Sequence, residues 1–427
     1  MSRRLAPNPA AVLHAALLRR SAAAAACRLP PRLSFNSLLA AAATSPHPRL
    51  RALVLPALAL AHRCTDAGGG GCEPLDSYAL CSALRSSASA SAAEPLHALA
   101  AKSGWLGSVF VSCALAASYG GSGRFLDARR LFDESSAKNG VFGNAVLAAY
   151  VGAGKWSPTL EFARRFCELG LRADGYTMTA VVRACGEVAN AALGLQAHGH
   201  AIRRVEVVEA DVFLVSALMD MYAKCGLVSL AERVFGLAQL ENAGGGDVVL
   251  WTAMLNAYGR HGQCKEVIRM YDQMVASGVQ PDELATLAVL SACQHAGEVV
   301  KGLKYFESMG ADYGLMPTAE HYGCVVNMLC RTGDVAKAWE ISNRDVCGGE
   351  IGVSTWGALL SACRECGHVE VGRMAAQKAI ELEPSNVGIY IELSNLYARA
   401  GLWDELDQLR EVMKDKGLEK DVGFTIF

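Results

Sequence analysis

Residues 1–65 contain no lysine, no aspartate and no glutamate, and the first acid is Asp66. The same stretch holds nine arginines (Arg3, Arg4, Arg19, Arg20, Arg28, Arg32, Arg49, Arg51 and Arg63) among many alanines and serines. Acid-free, arginine-rich composition is the mark of an organelle transit peptide. Leu5, Val12, Leu13, Ala16 and Leu17 can share one helix face beside the arginines, which favours a mitochondrial over a chloroplast address. A secretory signal does not fit: the apolar run of 52–60 comes too late, and RRSAAAAACR is too weak. No apolar run is long and clean enough to span a bilayer, so no membrane partner is expected.

The usual signatures of chemistry are also missing. There is no Walker loop, no G-x-G-x-x-G after a strand and no Ser/His/Asp pattern. The nearest approach to a metal motif is CRECGH, with Cys363, Cys366 and His368, where His368-Val369-Glu370 reads H-x-E. Zinc deaminases need H-x-E followed by P-C-x-x-C. Here the order is reversed, and no cysteine follows Cys366. Most of the 15 cysteines fall on apolar helix faces, where a free thiol acts as a small hydrophobe. No catalytic residue, metal, cofactor or small-molecule substrate is therefore expected.

What is present is a period. In VVLWTAMLNAYGRHGQCKEVIRMYDQMVASGVQPD (248–282), Trp251, Met254, Leu255 and Tyr258 recur at helical spacing up to Gly262. Val267, Met270, Tyr271 and Met274 repeat the pattern up to Gly278, and Pro281 blocks further helix. The unit is helix, turn, helix, break. Glycines matching Gly262 fall at Gly123, Gly154, Gly226, Gly297, Gly333, Gly367 and Gly401, at intervals of 31, 72, 36, 35, 36, 34 and 34 residues. The long interval is two units with Ala189 in the glycine's place. Four residues before the marker stands Tyr119, Tyr150, Tyr222, Tyr258 or Tyr397, or else Cys185, Cys293, Leu329 or Cys363. Neither helix of such a unit can bury its apolar face alone, so the period predicts an all-α solenoid. The period alone fits tetratricopeptide and pentatricopeptide arrays equally.

The residues separate the two. VVLWTAMLNAYGRHG, VFLVSALMDMYAKCG (212–226) and LATLAVLSACQHAG (284–297) resemble pentatricopeptide repeats, the PPR repeats of plant organelle proteins. They resemble the subclass with alternating standard, long and short repeats. AEHYGCVVNMLCRTGDVAKAWE (319–340) resembles its last short repeat. TWGALLSACRECGHVEVGRMAAQKAIELEPSN and YIELSNLYARAGLWDELDQLREVMKDKGLEK resemble its two E-type motifs. The resemblance implies a right-handed α-solenoid of repeats of about 31–37 residues. His198 and His200 then fit the structural L-H-A-H stretch of a long-type repeat.

The implied organisation is a transit peptide at 1–33, extending as far as about 65, then degenerate repeats over 34–108. A flexible insertion is expected at 66–72. The array follows as 109–139, 140–174, 175–211, 212–247, 248–282, 283–318 and 319–350, with E-type motifs over 351–427. ENAGGG at 241–246 is an extra surface loop. The chain stops at Phe427, where the longest members continue into a DYW deaminase domain.

Repeat arrays read single-stranded RNA one base per repeat. The resemblance places the reading residues at the fifth and last positions of each repeat. A last-position Asp can accept the imino N–H that U and G carry and A and C lack. A fifth-position Asn then favours a pyrimidine, and a hydroxyl a purine. Asn144 with Asp174 implies U. Ser216 with Asp247 and Thr252 with Asp282 imply G. Thr179 with Asp211 lies in a long-type repeat, and Cys113 with Asn139 departs from the usual pairs. Asn36 with Asp76 belongs to a degenerate repeat, while Leu287 with Thr318 and Gly323 with Glu350 carry no clear preference. Second-position Val141, Phe213 and Val249 would sandwich bases. Each polar residue could equally be a helix cap.

Charge argues against tight binding to phosphates. Of 40 basic and 42 acidic residues, residues 66–427 keep 40 − 9 = 31 basic and all 42 acidic, a balance of −11. Base contacts and partners must carry the affinity. The implied role is a site-recognition factor for C-to-U editing of organelle RNA, with a DYW-type deaminase supplied in trans. The alternatives are a splicing or stability factor and, in another class, a TPR-like protein-binding scaffold. Residues 1–65 fused to a fluorescent protein are expected to carry it into mitochondria. A diffuse cytosolic signal would remove the transit-peptide reading.

Overall fold

The computed structural model describes residues 76–86, 90–204, 208, 211–241, 247–343 and 351–418. The presequence, the insertion at 66–72, most of the 241–246 loop, Glu350 and the last nine residues lie outside these. The described residues form twenty α-helices and no strand. They divide into two compact units, Met1–Val208 and Glu209–Phe427.

The first unit contains α1 (Ser77–Ser86), α2 (Ala90–Lys102), α3 (Val109–Gly121), α4 (Phe125–Glu134), α5 (Gly140–Gly152), α6 (Trp156–Glu168), α7 (Gly175–Glu187) and α8 (Ala191–Arg204). The second contains α9 (Val212–Lys224), α10 (Val228–Glu241), α11 (Val248–Arg260), α12 (Cys264–Ala276), α13 (Glu283–Ala296), α14 (Val299–Ala311), α15 (Ala319–Thr332), α16 (Val335–Ser342), α17 (Val353–Cys366), α18 (Val369–Leu382), α19 (Val387–Ala400) and α20 (Trp403–Asp415).

The pairing rule is the same in both units. The first helix of a pair packs on its own second helix and also on the first helix of the next pair. First helices therefore stack closely, and second helices form an outer layer. The helix pair α11–α12 shows why. Leu250, Trp251, Met254, Leu255 and Tyr258 are buried on α11, and Val267, Met270, Tyr271 and Met274 on α12. Each buried large side chain contributes about 1.5–3 kcal/mol, but only when a neighbouring helix covers it.

The turn inside each pair needs a left-handed residue. Gly262 supplies it between α11 and α12 with φ +67°. At the matching place in 175–211 stands Ala189, which still adopts φ +50°. The tertiary register there outweighs the cost of a Cβ in that region.

Close helix approach explains another glycine. In α5, a Cβ on Gly143 would lie 2.2 Å from the Phe166 ring of α6, and Phe166 is fully buried. Alanine normally gains about 0.5–1 kcal/mol over glycine inside a helix. Overpacking against a fixed aromatic ring costs about 1–3 kcal/mol, so the clash wins. Gly143→Ala is therefore expected to lower the melting temperature of the folded protein. Gly259→Ala is the control, because Gly259 lies near the end of α11 with open space around it, and should raise the melting temperature slightly. Circular dichroism melts check both signs.

Candidate nucleic-acid interface

Every first helix from α5 to α15 opens on a polar residue that closes the preceding repeat. These are Asn139, Asp174, Asp211, Asp247, Asp282 and Thr318. The first five each accept a helix N–H, and a good cap is worth about 1 kcal/mol. The caps differ in what else they touch.

Asp174 accepts from Thr177 N–H at 2.9 Å and from the Asn144 side-chain amide at 3.0 and 2.9 Å. Asn144 sits one turn into α5, on the preceding repeat. The predicted fifth and last residues are therefore in direct contact across adjacent first helices. Burial pushes the Asp174 carboxyl up, but the Thr177 amide and hydroxyl and the Asn144 amide outweigh this and hold it below its ordinary value. Thr252 and Asp282 repeat the arrangement: the Thr252 hydroxyl donates to Asp282 Oδ1 at 3.3 Å, which also accepts Ala285 N–H at 2.7 Å.

Ser216 with Asp247 and Cys113 with Asn139, the other predicted pairs described within one unit, share no hydrogen bond. No hydrogen bond links Ser216 to Asp247, whose carboxylate accepts Val249 N–H at 2.9 Å instead. The physical difference is in the cap. Asp174 and Asp282 have ψ near 180° and cap the third helical N–H. Asp247 has ψ 132° and caps the second, directly after the extra residues of the 241–246 loop. Asn139 caps Phe142 N–H at 2.9 Å without touching Cys113, a half-buried thiol that burial pushes up to about 11. Thr179 donates to Gly175 O at 2.8 Å, and Asp211, in the other unit, caps Phe213 and Leu214. Thr318 engages His321, Gly323 is buried, and Leu287 is half-buried. Asp76 caps Ala79 N–H at 2.7 Å, and its partner Asn36 lies outside the described residues.

The second-position residues are exposed although apolar: Val141 at 67%, Phe213 at 78% and Val249 at 42%. Phe110, Tyr176 and Leu284 occupy the same offset in α3, α7 and α13 and are exposed too. Sequence reasoning passed over these three, although counting one residue on from each helix start would have found them. In each of the six repeats from 109 to 318, one large apolar residue is left uncovered at the start of the first helix; in the repeat 319–350 the place is taken by Glu320.

Cations near these helices are partly occupied. Lys224 and Arg260 both pair with Asp220, and Arg364 pairs with Glu392. At the CRECGH stretch, Cys363 is buried in the core and Cys366 is exposed. Burial, followed by the neighbouring Cys366, pushes the Cys363 thiol up to about 12, which disfavours the thiolate that zinc requires. Among the described residues, no three metal-ligating side chains are grouped, and no helix is long and apolar enough to cross a membrane.

Tandem helix pairs of one length, stacked through their first helices, define an α-solenoid repeat protein. The chain belongs to the pentatricopeptide repeat family. Residues 213–240 match the PPR repeat model, 246–295 the PPR repeat family model and 367–427 the E motif model. It is 32% identical to the pentatricopeptide repeat-containing protein At1g77170, mitochondrial, of Arabidopsis thaliana, over 77% of this chain and 69% of that one. It is 36% identical to the putative pentatricopeptide repeat-containing protein At1g56570 of the same plant, over 82% of this chain and 56% of that one. For At2g03880, mitochondrial, the values are 34%, 81% and 53%. The chain thus spans about half the length of these last two curated relatives. The fold is similar to the crystal structure of PPR10 from maize, with TM-score 0.55 and 21% identity over 98% of this chain and 65% of that one. For PPR10 in complex with an 18-nt psaJ RNA element the TM-score is 0.61, at 17% identity over 89% and 60%.

The depressed Asp174 carboxyl has a consequence for stability. A carboxyl lowered in the folded state stabilises it fully above its unfolded value, about 3.9, and this is lost as pH falls through the folded value. Between about pH 5 and pH 3, Asp174→Asn is expected to flatten the acid-induced fall in melting temperature relative to the parent. Parallel slopes would mean that the Asn144 and Thr177 contacts do not favour the ionised form.

Proposed function

We propose that this protein is a sequence-specific single-stranded RNA-binding factor of an organelle, the mitochondrion in the first instance, that specifies a C-to-U editing site. The observation that carries the reading is the contact of Asn144 with Asp174 and of Thr252 with Asp282, each pair set beside exposed apolar residues. An ionised carboxylate accepts the imino N–H of U or G, and the fifth residue chooses between them. Val141, Phe213 and Val249, with Phe110, Tyr176 and Leu284, offer apolar faces against which bases stack. The solved complex of PPR10 with RNA supports an RNA ligand, and the relatives named mitochondrial support the address.

The E motif match at 367–427 supports the editing role. We assign the deamination itself to a DYW-type partner acting in trans. In a line lacking the gene, one C-to-U site in an organelle transcript should stay unedited. An RNA ligand with every site still edited would move the reading to splicing or transcript stability.

The base assignment is tested at Thr252. Thr252→Asn keeps Asp282 and exchanges a hydroxyl for an amide, so preference at one nucleotide should move from G towards U. A misread base costs about 1–3 kcal/mol in direct readout. The variant should fail on the RNA bound by the parent and recover on RNA with U at that position. If it binds both as the parent does, with unchanged circular dichroism, Thr252 does not read a base.

A further inference from the structure

The contact between Asn144 and Asp174 has a third member. Thr177, the third residue of α7, is 2% exposed. Its hydroxyl lies 2.6 Å from Asn144 Oδ1 and 2.9 Å from Asp174 Oδ1, and accepts the Asp174 N–H at 3.4 Å. A hydroxyl has one proton to give. Were it given to Asp174, the Thr177 oxygen and Asn144 Oδ1 would face each other as two acceptors at the shortest contact in the network. Given to Asn144, it leaves only the longer 2.9 Å contact with Asp174 Oδ1 without a proton, so the shorter contact holds the proton for the larger share and Asp174 Oδ1, which Thr177 N–H and the Asn144 amide already serve, for the smaller. The Asn144 amide cannot turn over either, because its oxygen would then face the Asp174 carboxylate. The two contacts favour the same orientation and add to one another, with carbonyl towards Thr177 and nitrogen towards Asp174.

That orientation matters for what Asn144 can offer. Both Asp174 oxygens lie on one side of the amide nitrogen, so one N–H serves them and the second is left for an outside acceptor. The carbonyl is already occupied. Asn144 is thereby presented as a donor. U offers a carbonyl oxygen where C offers an amino group, so a donor suits U and rejects C. A turned amide would present its oxygen and suit the amino group of C.

We propose that Thr177 is a specificity-determining residue, which locks the Asn144 amide as a donor and so lets the repeat 140–174 tell U from C. The proposal rests on the RNA reading above. Among the repeats whose cap is Asn or Asp, it is particular to this one. The residue at the same offset is Phe142, Leu214, Leu250 and Ala285 after the caps Asn139, Asp211, Asp247 and Asp282, and none of these carries a hydroxyl.

The test uses the full chain and single-stranded RNA selected by it from a random pool. The selected RNA is resynthesised with each base at each position. The nucleotide read by 140–174 is the one at which Asn144→Ala changes the preference. There the parent should favour U over C on the order of tenfold. Thr177→Val, of similar shape, should reduce the ratio to about twofold, and Thr177→Ser should restore it. Loss of a helix cap alone would weaken binding to all RNAs together and leave the ratio unmoved. An undiminished ratio in Thr177→Val overturns the proposal while the RNA reading stands. A parent with no base preference at any position overturns the RNA reading and the proposal with it.

A gain of function covers the case in which Thr177→Val does not fold. Ala285 holds the matching place behind Asp282, which caps both its N–H and the Thr252 hydroxyl. Thr252→Asn combined with Ala285→Thr should discriminate U from C severalfold better than Thr252→Asn alone. Equal ratios in the two overturn the proposal.

Discussion

A carboxylate shared between two repeats ties this structure together. Asp174 and Asp282 each start one first helix by accepting its free N–H groups, and each also accepts from a side chain on the first helix before it. The same oxygen atoms therefore fix where a helix begins and how it sits against its neighbour. A solenoid repeat has no core of its own, so such contacts between neighbours decide its register. Stability and recognition then become hard to separate. Any substitution at Asp282 removes a cap worth about 1 kcal/mol as well as the acceptor we propose for a base.

The helix pairs were legible because their cause is local. Apolar residues at helical spacing, a left-handed stop and a break recur at one period, and the buried faces of α11 and α12 are those the spacing named. Even Ala189 could be recognised as standing in for a glycine, because the residues around it kept the period. The candidate site was legible only as a list of offsets. By offset alone, Ser216 with Asp247 looks equivalent to Thr252 with Asp282. The difference comes from the backbone before the cap, where the ψ of Asp247 turns its carboxylate to another N–H. Thr177 stayed hidden for a different reason. In sequence it is a capping-box threonine, and its approach to Asn144 depends on the packing of α7 against α5.

Electrostatics sets the terms on which any RNA could bind. Residues 66–427 carry a balance of 31 − 42 = −11, and Lys224, Arg260 and Arg364 are already paired with acids. Counterion release, the usual source of non-specific affinity, is therefore small. Affinity for an RNA ligand would come from stacking and from hydrogen bonds to base edges, which also carry sequence information. On the proposed RNA reading, a net-anionic array gives up strength for any RNA and keeps the difference between one RNA and another.

On the proposed RNA reading, the state of Asp174 decides whether that difference is large. A protonated carboxyl could donate to the ring nitrogen of C and would blur the choice. Contacts from Thr177 and Asn144 keep the carboxyl ionised below its ordinary range, so at cellular pH it can only accept. Its two oxygens offer about four acceptor directions, and its present donors leave room for one more. An imino N–H can enter that place without displacing the Asn144 amide. The ring nitrogen of C or A brings a lone pair to the same place and is repelled. A pair already assembled in the free protein also has little side-chain freedom left to lose on binding. On the proposed reading, the hydrogen bonds that position the first helix are thus the ones that would make its carboxylate a selective acceptor.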